Sequence, residues 1–223
     1  MIPFIQTLWS KPNRIDKVLK DVDRSLSHKY QVPFTCLTYG DKLHGMLLDK
    51  GINSVCICPE DRMFPPEEEF AHKLFTWVKA SEMYDKWFFK DWDVLLTKPL
   101  PLDFEDYYKD KIFQGNLRQY VRVQNDWRKE HRRKLICASW LYFGNPNVPK
   151  EIYSIWENEL KRNHREERAV SYWCDMRCPN KIFSLDYYRR NFEPRDFCLK
   201  NSSVFKDRER NTLWQHYTGN RRD

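Results

Sequence analysis

Four apolar, β-rich runs alternate with three segments of helical period in the first hundred residues, and this alternation narrows the possible folds more than any other feature of the chain. Residues 2–8 form the first run, and Ile15, Val18, Leu19, Val22 and Leu26 then recur at the 3.6-residue period, which predicts a helix over residues 14–29. Residues 33–39 form the second strand and end at Gly40; Asp41 is the expected N-cap of a helix carrying Leu43, Met46 and Leu47, and Gly51 is placed to end it. Residues 53–58 form the third strand. Pro65 and Pro66 precede three glutamates, the acidic first turn of a helix over residues 67–83 with Phe70, Leu74, Trp77 and Val78 as its buried stripe. Residues 87–96 complete the set as a fourth strand. Strands alternating with helices demand crossover connections, so the expected fold is α/β, a Rossmann-like, mostly parallel sheet flanked by helices in one domain.

In such sheets ligands bind beyond the carboxyl ends of the strands, near the switch in strand order. That rule gathers Thr7, Trp9 and Ser10, then Tyr39, then Glu60 and Asp61, then Asp91 and Asp93 on one rim. In an extended fourth strand Asp91 and Asp93 point to one side, with Trp92 between them, and converge on one cation. Hard carboxylate oxygens suit Mg²⁺ or Mn²⁺, which keep positions free for water and phosphate oxygens. The chain has no GxGxxG and no GxxxxGK[ST], and only six glycines, which disfavours a dinucleotide dehydrogenase or a P-loop kinase. A metal and cationic side chains must then hold any diphosphate.

The second half reads differently. Residues 111–115 and 135–144 are strand candidates, Ile152, Ile155, Trp156 and Leu160 mark a helix beginning near Pro149, and a further helix is expected over residues 168–176. From residue 192 the tail is expected to be mostly irregular until residues 213–221. With 41% apolar residues the chain has the surface to build a core, and no stretch approaches the roughly 20 apolar residues of a membrane span. A cytoplasmic protein is expected, since no apolar signal core opens the chain. Seven cysteines, an odd number set largely in apolar runs, suit free thiols; Cys174, Cys178, Cys198 and His216 lack the CxxC spacing of a zinc site. The formal charge of +7 permits an anionic partner. Arg118, Arg122, Arg128, Lys129, His131, Arg132, Arg133 and Lys134 crowd one interval with Tyr120 and Trp127. That interval is either a solvated loop or a surface where cations meet phosphates and aromatics stack on a displaced base.

The order of parts resembles the GT-A-fold glycosyltransferases, which take a sugar from a nucleoside diphosphate. The first strand and its loop resemble the nucleotide-binding opening of that family, and residues 88–101 resemble its Asp-x-Asp strand and proline-containing exit. Residues 137–143, with Ala138 and Ser139, resemble the strand that often carries a small-residue substrate contact. The tail His216, Tyr217, Thr218, Gly219, Asn220, Arg221 resembles the His-x-x-Gly-x-x-Lys element of glycogenin-like retaining transferases. The resemblance implies that Asp91, Asp93 and His216 bind Mn²⁺ or Mg²⁺ and that Gly219 lets the backbone approach the phosphates. It further implies that Arg221 replaces the diphosphate-binding lysine with a bidentate guanidinium, and that Lys73 contacts the diphosphate. Residues 1–101 would then form the nucleotide-sugar-binding half, and residues 102–223 the acceptor-binding half with the metal- and diphosphate-binding tail, in one compact domain.

The implied chemistry is displacement at an anomeric carbon, with Asp93 acting through the metal. Glu167 and Asp175 are the candidate bases for an inverting course, whereas the tail is similar to that of retaining members. A basic transferase with a cationic, aromatic insert is similar to the phage-type enzymes that glycosylate hydroxymethylated pyrimidines in DNA. Double-stranded DNA is therefore the expected acceptor, with Arg118, Arg122, Trp127, Arg128, Arg132, Arg133 and Ser139 as acceptor contacts. Two alternatives stand beside it: transfer to lipopolysaccharide, capsule or another glycan, and a non-catalytic nucleic-acid-binding domain on a nucleotide-binding fold.

Overall fold

The computed structural model describes residues 1–10, 14–96, 98–117, 136–160, 165–177, 199–202 and 214–217, the last two segments as backbone. The expected alternation is present: β1 (Phe4–Leu8), α1 (Ile15–Leu26), β2 (Phe34–Tyr39), α2 (Asp41–Asp49), β3 (Ser54–Cys58) and α3 (Ala71–Met83), the last preceded by a 3₁₀ turn at Pro66–Glu68. Then follow β4 (Trp87–Lys90), β5 (Val94–Leu96), α4 (Phe104–Tyr108), β6 (Phe113–Leu117), β7 (Ile136–Phe143), α5 (Asn147–Ser154), α6 (Glu166–Arg177), β8 (Leu199–Ser202) and β9 (Trp214–Tyr217). After α5 the helix loosens into a π-helical turn over Ile155–Glu159.

Six strands form one sheet in the order β3-β2-β1-β4-β7-β6. β1, β2, β3 and β4 run parallel, and β7 enters antiparallel between β4 and β6. Strand order reverses beside β1, where the chain passes from β2 and β3 on one side to β4 on the other. Alternation along β4 divides the core. Trp87 and Phe89 face α3, α5 and α6 with Ile5, Leu37, Leu74, Trp77, Leu141, Phe143, Ile152 and Val170. Phe88 faces the opposite side, packing with Phe4, Phe104, Tyr108, Trp140 and Tyr142 and with Val94 and Leu96 of β5. A third cluster seats α1 and α2 through Leu19, Val22, Cys36, Leu43 and Leu47. With both faces covered, the central strands are buried on both sides, and their polar residues, Gln6 and Thr7 of β1, Thr35 and Thr38 of β2 and Lys90 of β4, are buried with the apolar ones.

Three expectations are corrected in detail. Asp41 is the first residue of α2, and Gly40 is its N-cap, at φ 89°. A side chain there would be strained by that φ, and a Cβ would run into the Asp61 carboxylate. Residues 87–96 are two strands, because the chain turns over at residues 91–93 and β5 leaves the large sheet to pair antiparallel with β9. Within the stretch expected to be mostly irregular, residues 199–202 form β8, which pairs parallel with β9 and completes a second sheet in the order β5-β9-β8.

Candidate functional site

The site is built on the turn at the carboxyl end of β4, beside the strand-order switch. The Asp91 N–H donates to the Ser139 carbonyl at 2.9 Å, and the Val94 N–H closes the turn on the Asp91 carbonyl at 3.1 Å. The Trp92 indole N–H reaches back to the Thr7 carbonyl at the end of β1, 2.9 Å away, and its ring meets Phe34 edge-on. Lys90, on the β4 face shared with Phe88, donates from Nζ to the Val94 carbonyl at 2.8 Å and to the Asp91 carbonyl at 3.3 Å. Burial pushes the Lys90 ammonium down to about 8, against the pull of the Asp91 and Asp93 charges. The two carboxylates are therefore related by a hydrogen-bonded turn, and not by the extended geometry expected of them.

Above the turn, Lys73 of α3 lies 2.9 Å from Asp91 Oδ2 and 3.2 Å from Glu166 Oε1 in the first turn of α6. Its side chain is 10% exposed, that of Glu166 4% and that of Asp91 21%, so the network opens to solvent on the Asp91 side. Burial disfavours the Lys73 charge, but the facing Asp91 and Glu166 carboxylates outweigh it and hold the ammonium above its ordinary value. Burial pushes the Glu166 carboxyl up against the opposing effect of Lys73, with Glu167 and Asp91 adding to the rise. Glu166 Oε2 is buried without a hydrogen-bond partner among the described residues. Lys73 Nζ also lies 5.4 Å above the Phe89 ring.

The neighbouring rim is held by a buried chain of polar groups. The Thr7 hydroxyl meets Thr76 at 2.7 Å, Thr76 donates to the His72 carbonyl at 2.8 Å, and the Tyr39 hydroxyl donates to the same carbonyl at 2.7 Å. Nε2 of His72 accepts the Met63 N–H at 3.2 Å, so Nδ1 carries the proton and donates to the Glu69 carbonyl at 3.0 Å. Burial lowers the His72 pKa, and the ring is neutral. Trp9 stacks on His72 at 5.3 Å between centroids and 10° between planes.

Of the expected site residues, the structure brings Lys73, Asp91, Trp92 and Ser139 together at the turn, with Asp93 in the same turn. Thr7 and Tyr39 are buried and their hydroxyls are engaged within the fold; Ser10 is buried and Trp9 is half-buried on the rim. Glu167 is buried beside Glu166, and its carbonyl accepts the Ser171 hydroxyl at 2.7 Å. Asp175 lies two turns further along the α6 backbone. The backbone of His216 stands directly opposite Val94 in the β5–β9 ladder, so the tail returns to the residue after Asp93. Arg118, Arg122, Trp127, Arg128, Arg132, Arg133, Gly219 and Arg221 lie outside the described residues. Among the described residues no three His, Cys, Asp or Glu side chains form a metal cluster.

Two residues were missed in the sequence. The pair Glu166-Glu167 singles out neither acid, because two acids opening a helix do not say which one faces the sheet. Lys90 carried a usable signal: two residues after Phe88, it falls on a core-facing position of a buried strand.

No protein-family model matches the chain, and no curated protein matches it in sequence. Among solved structures it is similar to a glycosyltransferase involved in the glycosylation of the major capsid of PBCV-1, at 12% identity and TM-score 0.52 over 98% of this chain and 93% of that one. It also aligns with the galactosyltransferase LgtC, solved with donor and acceptor sugar analogs, at 15% identity and TM-score 0.44 over 98% and 88% of the two chains. GlyE of Streptococcus pneumoniae TIGR4 aligns at 11% identity and TM-score 0.48 over 99% of this chain and 56% of GlyE. The likeness to the PBCV-1 enzyme is one of fold: a single α/β domain whose six-stranded, mostly parallel sheet is flanked by helices, as in that glycosyltransferase.

Proposed function

We propose that the chain transfers a sugar from a nucleoside-diphosphate sugar, with uridine diphosphate as the expected carrier, to an acceptor hydroxyl at the turn bearing Asp91 and Asp93. The observation that carries this reading is the convergence of Asp91, Lys73 and Glu166 at the carboxyl end of β4, with the backbone of His216 laid against Val94. Carboxylates clustered at the strand-order switch suit a divalent cation, whose charge would offset that of an anionic diphosphate, and they suit the hydroxyls of a sugar.

The donor set suits Mn²⁺ or Mg²⁺. Asp91 gives Oδ2 to Lys73 while its side chain stays partly exposed, and Asp93 follows two residues on in the same turn. Asp91, Asp93 and His216 would hold the ion, which when bound supplies positive charge at the leaving diphosphate. Lys73 fixes the orientation of the Asp91 carboxylate. In the reaction the bond from the anomeric carbon to the diphosphate oxygen breaks and the acceptor oxygen bonds that carbon. The acceptor proton is released, and the nucleoside diphosphate leaves. Trp9 and Ser10 on the rim, and Gly219 and Arg221 in the tail, are the proposed contacts to the nucleotide and its phosphates. Retention rests on the tail sequence; Glu167 and Asp175 are the bases to test for inversion.

The proposed acceptor is a hydroxymethylated pyrimidine in DNA, on the strength of the basic interval over residues 118–134. A glycan or protein acceptor is the second reading, favoured by the capsid-glycosylation role printed for the PBCV-1 neighbour. The test incubates the protein with Mn²⁺ and labelled nucleotide sugars, offering hydroxymethylated DNA or glycan acceptors. Label in DNA is the expected result, label confined to glycan ends the DNA reading, and no turnover of any nucleotide sugar favours a non-catalytic binding domain.

A further inference from the structure

A lysine in the middle of an aromatic cluster is an expensive choice, and Lys90 is 4% exposed on the face of β4 that carries Phe88. Its register partner on β7 is Trp140, and the same face is filled by Phe4, Phe104, Tyr108 and Tyr142. A leucine or methionine would fill that space without removing a charge from water. The hydrogen bonds of its ammonium go to main-chain carbonyls, and the two they reach are the two ends of one turn: Asp91 at 3.3 Å and Val94 at 2.8 Å. Because the Val94 N–H already donates to the Asp91 carbonyl at 3.1 Å, Nζ ties the turn a second time, from inside the core.

This second tie matters because the turn takes the place of extended geometry. Two carboxylates in a strand point to one side by the pleat alone, whereas in a turn their relation depends on how tightly the turn is closed. Asp91 is also held by Ser139 and Lys73, and Asp93 lies inside the turn whose two ends, the Asp91 and Val94 carbonyls, Lys90 joins. We propose that Lys90 is a positioning residue whose buried ammonium, bonded to the Asp91 and Val94 carbonyls, sets the turn that presents Asp93 beside Asp91. The role in ligand binding rests on the donor-site reading above; the role in holding the turn does not.

The test compares the wild-type protein with Lys90→Met, which keeps the stem and its apolar contacts and removes the donor. Two quantities are read: amide hydrogen exchange by NMR, and binding of uridine diphosphate with and without Mn²⁺. The expected result is a folded variant in which exchange of the Val94 amide speeds by about tenfold or more while that of Asp91, bonded to Ser139, does not change. Affinity for the nucleotide in the presence of Mn²⁺ should fall by about tenfold, with affinity in its absence unchanged, a split that loss of general stability would not produce. Unchanged Val94 protection together with wild-type Mn²⁺-dependent binding would overturn the proposal. If the wild-type protein shows no nucleotide binding at all, the donor-site reading fails, and the Val94 amide alone still decides whether Lys90 holds the turn. Should Lys90→Met not fold, Lys90→Gln, which retains a donor on a shorter stem, takes its place in the same comparison and is expected to give the same exchange pattern to a smaller degree.

Discussion

Lys73 is one ammonium shared between two carboxylates, and its removal leaves Asp91 and Glu166 close together with no cation between them. Lys73→Met is expected to destabilise the protein by about 3–5 kcal/mol, read from urea unfolding, because truncating one partner strands buried charge. Adding Glu166→Gln to that variant should recover part of the loss; strict additivity of the two substitutions would argue that the pair is not coupled. His72 gives the pH dependence. Its ring is neutral in the fold with both nitrogens committed, and burial places its folded pKa below the ordinary 6.5. The unfolded chain therefore binds a proton first as pH falls, so this contribution is complete above about pH 6.5 and is lost on acidification through the folded value. Unfolding measured from pH 7.5 to 5 should show that loss, and a His72→Asn variant should show a shallower one.

At the scale of elements, the end of β4 is tied to β1 through the Trp92 indole and to β7 through the Asp91 amide. Trp92→Phe removes the first tie while keeping an aromatic ring against Phe34, and should cost about 1 kcal/mol in unfolding free energy. Gly40→Ala, at a left-handed φ with Asp61 in the way, should cost about 1–3 kcal/mol by the same measurement. These elements differ in how far they can be read from sequence. β1 to α3 were legible because their apolar residues keep a period of 2 or 3.6 and are bounded by Gly40, Gly51 and the proline pair. The break between β4 and β5 was not, because Val94, Leu95 and Leu96 continue the apolar run and nothing local says that they join a different sheet. β8 is not legible either, because Leu199, Lys200, Asn201 and Ser202 have no alternation of their own and form a strand by pairing with β9. Glu166 was illegible for a related reason: its ion pair forms only once α6 packs across the sheet beside α3.

At the scale of the whole molecule, topology does for the site what no local motif does. Residues more than a hundred positions apart meet because β5 leaves the large sheet immediately after the acidic turn and recruits the tail as β9, laying His216 opposite Val94. If the donor is held as proposed by the acidic turn and by β9, its binding draws on both sheets, so such a ligand should stabilise the whole fold. The most direct test of the central claim is thermal unfolding with uridine diphosphate and Mn²⁺, in the wild-type protein and in Asp93→Asn. A donor site on this turn predicts that nucleotide and Mn²⁺ together, at about 100 times their dissociation constant, stabilise the wild type by about 2.7 kcal/mol, and that Asp93→Asn, itself folded, loses most of that gain. No stabilisation of the wild type at millimolar ligand, or equal stabilisation of Asp93→Asn, would contradict it.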